Sequence, residues 1–196
     1  ALPNANEVER ARLEDVITKW TTTGTGLVQQ LQSFSVAQRQ SDRCDARDVL
    51  VQLESLLALL CKGTAEVRLD VTSEPAWTAI SRTDLERVVV NLVLNARDAI
   101  AGLGHISLSM RSSAEQLAIE VCDDGDGISQ ELLVQVFQPY YTTKAQGTGL
   151  GLATVRTIVE GAGGYIAVAS QPGRGSSFTV MLRRLEPPVT ELNSVE

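Results

Sequence analysis

The chain has 196 residues, 43% hydrophobic and 21% charged, which suits one folded domain with an appendage and excludes a disordered chain. A net charge of −7 without any run of Lys or Arg excludes a nucleic-acid binder built on a basic patch and argues against an anionic membrane surface. Three scattered cysteines, Cys44, Cys61 and Cys122, exclude a disulfide framework or a zinc site and are expected as buried or idle thiols in a reducing compartment.

Aromatic residues are only 4%, so the core must come from Val, Leu, Ile and Ala. No apolar stretch approaches the roughly 20 residues of a membrane helix, and no signal peptide is recognisable. A start at Ala1 rather than Met leads us to expect a piece cut from a longer protein.

Residues 6–40 read as one helical segment, because Leu13, Val16, Ile17, Trp20, Leu27, Leu31 and Phe34 recur at steps of three, four or seven. The Thr/Gly run over 21–26 is poor helix material inside it. Residues 41–45 read as a polar link. Residues 48–61 are again amphipathic, with Val49, Leu50, Leu53, Leu56, Leu57 and Leu60 on one side and Lys62-Gly63 as the helix end. Alternation of Val67, Leu69 and Val71 predicts a strand over 66–72, broken by Pro75, and 77–80 reads as a short strand.

Thr83 with Glu86 has capping-box spacing, which predicts a helix from there to about Ala101. Residues 105–111 and 117–122 read as antiparallel strands, followed by a Gly/Asp-rich loop over 123–129 and a short helix over 130–136. A loop over 137–149, a helix over 151–160 stopped by glycines, and a strand pair at 165–169 and 176–182 complete the pattern. Residues 186–196, with two prolines, read as a loose tail. This order fits an α/β fold, an α+β two-layer sandwich with one mixed β-sheet and helices on a single face.

Four stretches carry candidate chemistry. Asn91 and Asn95 lie four apart on a helix, so their amides share one face, and amide oxygens are hard ligands that suit Mg²⁺. Two solvated asparagines would look the same in isolation. Asp123 closes a strand and opens the run Asp-Asp-Gly-Asp-Gly-Ile. Its carboxylate can accept from an exocyclic amine such as that of adenine, while Gly125 and Gly127 permit close backbone approach. An acidic turn is the plainer account, and a calcium loop lacks its remaining ligands.

The third stretch, 137–144, places Lys144 within reach of a terminal phosphate behind the aromatics Phe137, Tyr140 and Tyr141. Core anchoring with a solvated lysine fits those residues equally. The fourth, Gly147-Thr148-Gly149-Leu150-Gly151-Leu152, runs into a helix whose free N–H groups favour phosphate. It is neither a Walker loop, for no G-K-S/T follows, nor a Rossmann fingerprint.

Taken together in this order, the stretches resemble the catalytic domain of histidine kinases, in the superfamily shared with DNA gyrase, heat-shock chaperone ATPases and mismatch-repair ATPases. Residues 91–99 look like its N box, 123–128 its G1 box, 137–144 its F box and 147–152 its G2 box. Gly163-Gly164, Ser170 and the Gly173 to Phe178 run match the closing hairpin. The resemblance covers about residues 44–185, and Tyr-Tyr-Thr-Thr-Lys with a short lid is most like the nitrogen-regulator and dicarboxylate-sensor type.

The resemblance implies ATP and Mg²⁺ as cofactors. It implies Asp123 on the adenine amine with Gly127 in support, Asn95 and Asn91 at the metal, and Arg97 and Lys144 as phosphate contacts. It further implies backbone contacts from Gly147, Gly149 and Gly151. The nucleotide-contacting set also takes in Asp98, Gly125, Ile128, Thr142, Thr143, Thr148, Leu150 and Leu152. Asn91, Asn95 and Lys144 are its catalytic members.

The implied reaction is phosphoryl transfer from ATP to a histidine, then relay to a response regulator. Hydrolytic relatives carry a Glu where Asn91 stands, which disfavours an ATPase of the gyrase or chaperone type. The single histidine, His105, sits at a strand start and is expected to be an ordinary edge residue. Residues 1–43 resemble the second helix of the dimerising hairpin, a helical remnant that implies a homodimer and a His-bearing helix elsewhere. Residues 44–185 would be the catalytic domain and 186–196 the tail. A cytoplasmic domain is implied, in a parent that a membrane anchor would suit. The alternative is a nucleotide-binding interaction module without kinase activity.

Overall fold

The structure is a computed structural model and describes residues 42–144 and 147–188. The helical segment expected over 6–40, with its dimerisation role, lies outside the described residues, as does the tail beyond 188. In chain order the elements are β1 (Cys44–Asp45), α1 (Ala46–Leu60), β2 (Ala65–Asp70), β3 (Trp77–Thr78), α2 (Arg82–Ala99), β4 (Gly104–Ser112) and β5 (Gln116–Asp123). They continue with α3 (Gln130–Leu133), α4 (Gly151–Gly161), β6 (Tyr165–Ser170) and β7 (Ser176–Leu185).

Alternation along three long strands decides the layer arrangement. Ile106, Leu108 and Met110 of β4, Leu117, Ile119 and Val121 of β5, and Phe178, Val180 and Leu182 of β7 are all buried. The intervening residues include Ser107, Ser109, Glu120, Ser177 and Thr179, a polar row that faces away from the core. A period of two sends each set to opposite faces, so the helices cover one face only. β2 pairs parallel with β4, while β4–β5 and β5–β7 are antiparallel. β6 and β3 share the other edge of β7, and β1 pairs with β3. The expected mixed sheet with helices on one face is therefore what the chain forms.

α2 is the central helix, packed against α1, α4 and the sheet. Leu85, Val88, Val89, Leu92, Val93 and Ala96 form its buried stripe, each large member contributing about 1.5–3 kcal/mol by removal from water. On α1 the stripe is Ala46, Val49, Leu50, Leu53 and Leu57. Arg82 ties the two helices through Asp48 at 2.9 Å and Gln52 at 2.6 Å, and holds Glu86 of its own helix at 2.9 Å.

The structure corrects several boundaries. Ser81, not Thr83, is the N-cap of α2: its hydroxyl accepts from the Asp84 amide at 3.1 Å and donates to the Asp84 carboxylate at 2.9 Å. Thr83 lies inside the helix, so the sequence spacing Thr83–Glu86 names an N-cap two residues too late. The link over 41–45 ends in a strand: Cys44 and Asp45 pair with Thr78 and Trp77, and Asp45 Oδ1 accepts from Arg47 at 3.1 Å and Ala76 at 2.9 Å. The short helix stops at Leu133 rather than Val136, and α2 stops at Ala99. All three cysteines are free; Cys44 and Cys61 are buried and Cys122 is half-buried. No helix among the described residues is long and apolar enough to cross a membrane.

Candidate functional site

The inward row of β5, Leu117, Ile119 and Val121, ends in Asp123. Register places Asp123 between Ile106 of β4 and Ser176 of β7. The carboxylate thus occupies a core-facing position at the rim of the sheet, only 8% exposed. Its Oδ1 accepts from the Gly125 amide at 3.0 Å and the Ser176 amide at 3.3 Å. Among the described residues no group donates to Oδ2, which is left to the cavity that Asp123 lines. Burial pushes the carboxyl above its ordinary value, against the opposing pull of the two amides.

The loop after Asp123 is fastened from both sides. The Asp126 amide donates to the Ala99 carbonyl at 2.9 Å, and its carbonyl accepts from Gly173 at 2.7 Å. Ser170 Oγ accepts from the Ile128 amide at 2.7 Å and donates to the Gly175 carbonyl at 2.9 Å. Gly127 sits at φ +69°, and a Cβ there would collide with the Gln171 carbonyl. The β6–β7 turn therefore clamps this loop, which is why the closing hairpin belongs to the site.

α2 presents its polar side to the same cavity: Asn91, Leu94, Asn95 and Asp98 all line it. Asn91 Nδ2 donates to the Arg87 carbonyl at 2.8 Å, so its Oδ1 is turned toward the start of α4. Asn95 Oδ1 accepts from Lys144 Nζ at 3.2 Å, and the same ammonium lies 3.3 Å from Asp98 Oδ2. One amide oxygen and one carboxylate oxygen thus meet at a cation, while the Asn91 oxygen lines the same cavity beside Gly151. That donor set fits a hard divalent ion that keeps water and phosphate as its remaining ligands.

The cavity, about 500 Å³, is closed by Ile128, Leu132 and Val136, by residues 141–144 and 147–149, and by Gly151 and Leu152. Phe137 anchors this side edge-on against Phe178, with ring centroids 6.4 Å apart. The Tyr140 amide donates to the Gly149 carbonyl at 2.9 Å, and both residues are left-handed, at φ 65° and 68°. Among the described residues no side chain caps the start of α4, which leaves its first N–H groups open.

Of the residues singled out in the sequence, Asn91, Asn95, Asp98, Asp123, Gly127, Ile128, Thr142, Thr143, Lys144, Gly147, Thr148, Gly149, Gly151 and Leu152 share this cavity. Arg97, Gly125 and Leu150 do not line it. Gly125 instead packs on the Ala99 carbonyl, and Leu150 is the N-cap residue of α4. Arg97 turns outward, to Asp98 and the Leu60 carbonyl. Sequence reasoning alone does not single out Ser176, Leu94, Ala99, Asp126, Leu132, Val136, Tyr141 or Phe178 as lining. Leu94 was legible, three residues after Asn91 and one before Asn95; Ser176 needed the strand register. His105 is absent from the lining; its Nδ1 lies 2.9 Å from Asp124 on the exposed start of β4. A second cavity, about 600 Å³ between the β4–β5 turn and the end of β7, holds none of these residues.

Residues 80–186 match the family described as histidine kinase-, DNA gyrase B- and HSP90-like ATPase. The chain is 52% identical over 98 residues to the sensor histidine kinase ZraS of Escherichia coli (strain K12), covering 50% of this chain and 21% of that protein. It is 36% identical over 177 residues to the sensor kinase CckA of Brucella abortus, covering 81% and 19%. It spans about a fifth of the length of these curated relatives. The catalytic domain of histidine kinase ThkA superposes with a TM-score of 0.60 at 28% identity, covering 72% of this chain and 94% of that one. The matched span runs from Ile80, before α2, to Glu186, after β7, and takes in every lining residue of the cavity; the chain belongs to the histidine kinase-, DNA gyrase B- and HSP90-like ATPase family, an ATP-binding domain of the kind found in sensor histidine kinases.

Proposed function

We propose that the cavity binds ATP with Mg²⁺ and presents the γ-phosphoryl group to a histidine on a partner or on a segment other than these 196 residues, whose single histidine is His105, for relay to a response regulator. The observation that carries this reading is the pairing, across one cavity, of a buried carboxylate with one free oxygen and a helix face bearing two asparagines. Asp123 Oδ2 accepts the adenine amine, and Ser176 and Gly125 keep that carboxylate from turning. Ile128, Leu132, Val136 and Leu152 supply apolar cover for the base. Asn91 and Asn95, with their oxygens facing the cavity, hold the metal, and Lys144 and the open N–H groups of α4 take the phosphates. When bound, Mg²⁺ neutralises charge on the transferring group.

Asn91 cannot take a proton from water, whereas a neutral imidazole attacks without help, so positioning and charge neutralisation suffice for the kinase reaction. Lys144 rests on Asn95 Oδ1 and must leave that oxygen for the metal to reach it. Residues 1–43, with their apolar stripe, suit a partner helix, and we infer self-association through them; residues 44–185 then act as the catalytic unit.

The test is incubation with labelled ATP, Mg²⁺ and a separate His-bearing helical hairpin. Label on the hairpin histidine is expected. Tight nucleotide binding with no transfer would favour a binding module. A thermal melting curve unmoved by saturating ADP and Mg²⁺ would remove the nucleotide reading altogether.

A further inference from the structure

We propose that Arg97 is a positioning residue for the nucleotide phosphates, acting through Asp98 on Lys144 without touching the phosphates itself. The inference rests on the ATP reading of the cavity and adds the means by which its cationic end is set.

Arg97 lies outside the lining, yet it is bound to a residue inside it. Its Nε and Nη2 both donate to Asp98 Oδ1, at 3.0 and 2.6 Å. Its Nη1 donates to the Leu60 carbonyl at 3.3 Å, so the last turn of α1 holds the guanidinium from behind. Asp98 then offers its other oxygen, Oδ2, to Lys144 Nζ at 3.3 Å. The ammonium completes its contacts on Asn95 Oδ1.

Charge shows what the arrangement is for. Asp98 and Lys144 alone would cancel, and phosphates arriving beside them would meet a neutral pair or a bare carboxylate. Arg97 neutralises Asp98 from the outside, so the Lys144 charge remains available to phosphate. The two N–H groups also hold Asp98 Oδ1 on the guanidinium side, which leaves Oδ2 for Lys144. Arg97 therefore has no role once Asp98 is uncharged, and that dependence separates positioning from direct phosphate contact.

The experiment is a double-mutant cycle on the full chain with Arg97→Met, Asp98→Asn and the pair, plus Arg97→Lys. Adenosine and ADP affinities are measured with Mg²⁺ by calorimetry or NMR titration. Arg97→Met should weaken ADP about fivefold, the upper end for a solvent-exposed charge pair, and leave adenosine unchanged. Arg97→Lys should retain most of the ADP affinity. With Asp98→Asn already present, Arg97→Met should change ADP affinity by less than about twofold.

An undiminished loss in the Asp98→Asn background overturns the proposal, because Arg97 would then act on phosphate directly. A parallel loss of adenosine also overturns it, since the substitution would have damaged the fold. Wild-type chain that binds neither adenosine nor ADP would instead defeat the reading of the cavity on which the proposal stands.

Discussion

Replacing Asp123 by Asn should separate nucleotide recognition from folding. Asp123→Ala cannot do so: it leaves the Gly125 and Ser176 amides without their acceptor, at about 1–3 kcal/mol for each orphaned donor. Loss of binding by that variant would be confounded with loss of structure. Asn keeps the shape and keeps Oδ1 as acceptor. Because both backbone partners are donors, the amide must place Oδ1 on them and Nδ2 toward the cavity. It also removes an ionised group from a site only 8% exposed, so the melting temperature of the nucleotide-free chain should stay level or rise.

Recognition should suffer heavily. The adenine amine would lose a charge-assisted acceptor, about 1.5–3 kcal/mol, and face a donor in its place. A total near 3–4 kcal/mol corresponds to about 100- to 1000-fold weaker ADP binding. A 6-oxo base offers an acceptor to the new donor, so inosine diphosphate should become the preferred ligand. Thermal melting and calorimetry with ADP and inosine diphosphate measure all three effects. ADP affinity within about threefold of wild type would refute the assignment of Asp123 to the base.

Other outcomes follow from the same geometry. The Asp123 carboxyl is pushed up by burial, so the folded chain binds its proton more tightly than the unfolded chain does. Its contribution to stability is therefore present below the ordinary carboxylate value and lost as pH rises through the raised one. ADP binding needs the ionised form and should weaken as pH falls through that raised value; Asp123→Asn should abolish this acid limb in a titration series. Asp124 behaves oppositely: the His105 amide and ring hold its carboxyl down. That contribution is present above the ordinary value and is lost as pH falls through the lowered one, readable as a flatter acid-side melting profile in Asp124→Asn. Asn95→Ala should cost about tenfold of the magnesium-dependent ADP affinity while leaving affinity in EDTA little changed; an equal loss in both conditions would count against a metal role. Leu92→Ala, at a fully buried position of α2, should lower urea-unfolding stability by about 2–5 kcal/mol.

Much of the fold was written in local periodicity. The step of three and four in α1 and α2 and the step of two in β4, β5 and β7 each specify which side chains turn inward, and that pattern needs no knowledge of neighbours. Capping was harder to read: Ser81 and Thr83 both offer a hydroxyl two residues apart, and only the backbone conformation at Ser81 decides between them. The strand β1 was hidden in the polar link, because a pair of residues has no alternation to read, whereas β3 falls within the short strand expected over 77–80; β1 exists through pairing with β3, which in turn pairs with the end of β7.

For the site, sequence alone settled the identity and spacing of the chemical groups: two amides one helical turn apart, a carboxylate closing a strand, and glycines ahead of a helix. Tertiary structure decided which of them meet. Strand register brought Ser176 beside Asp123, and the β6–β7 turn locked the loop at Gly127. The direction of one side chain moved Arg97 from the phosphate face to the back of Asp98. Type and spacing are local properties of a chain, but register and side-chain direction are set by contacts between segments far apart in sequence, and those contacts exist only once the chain has folded.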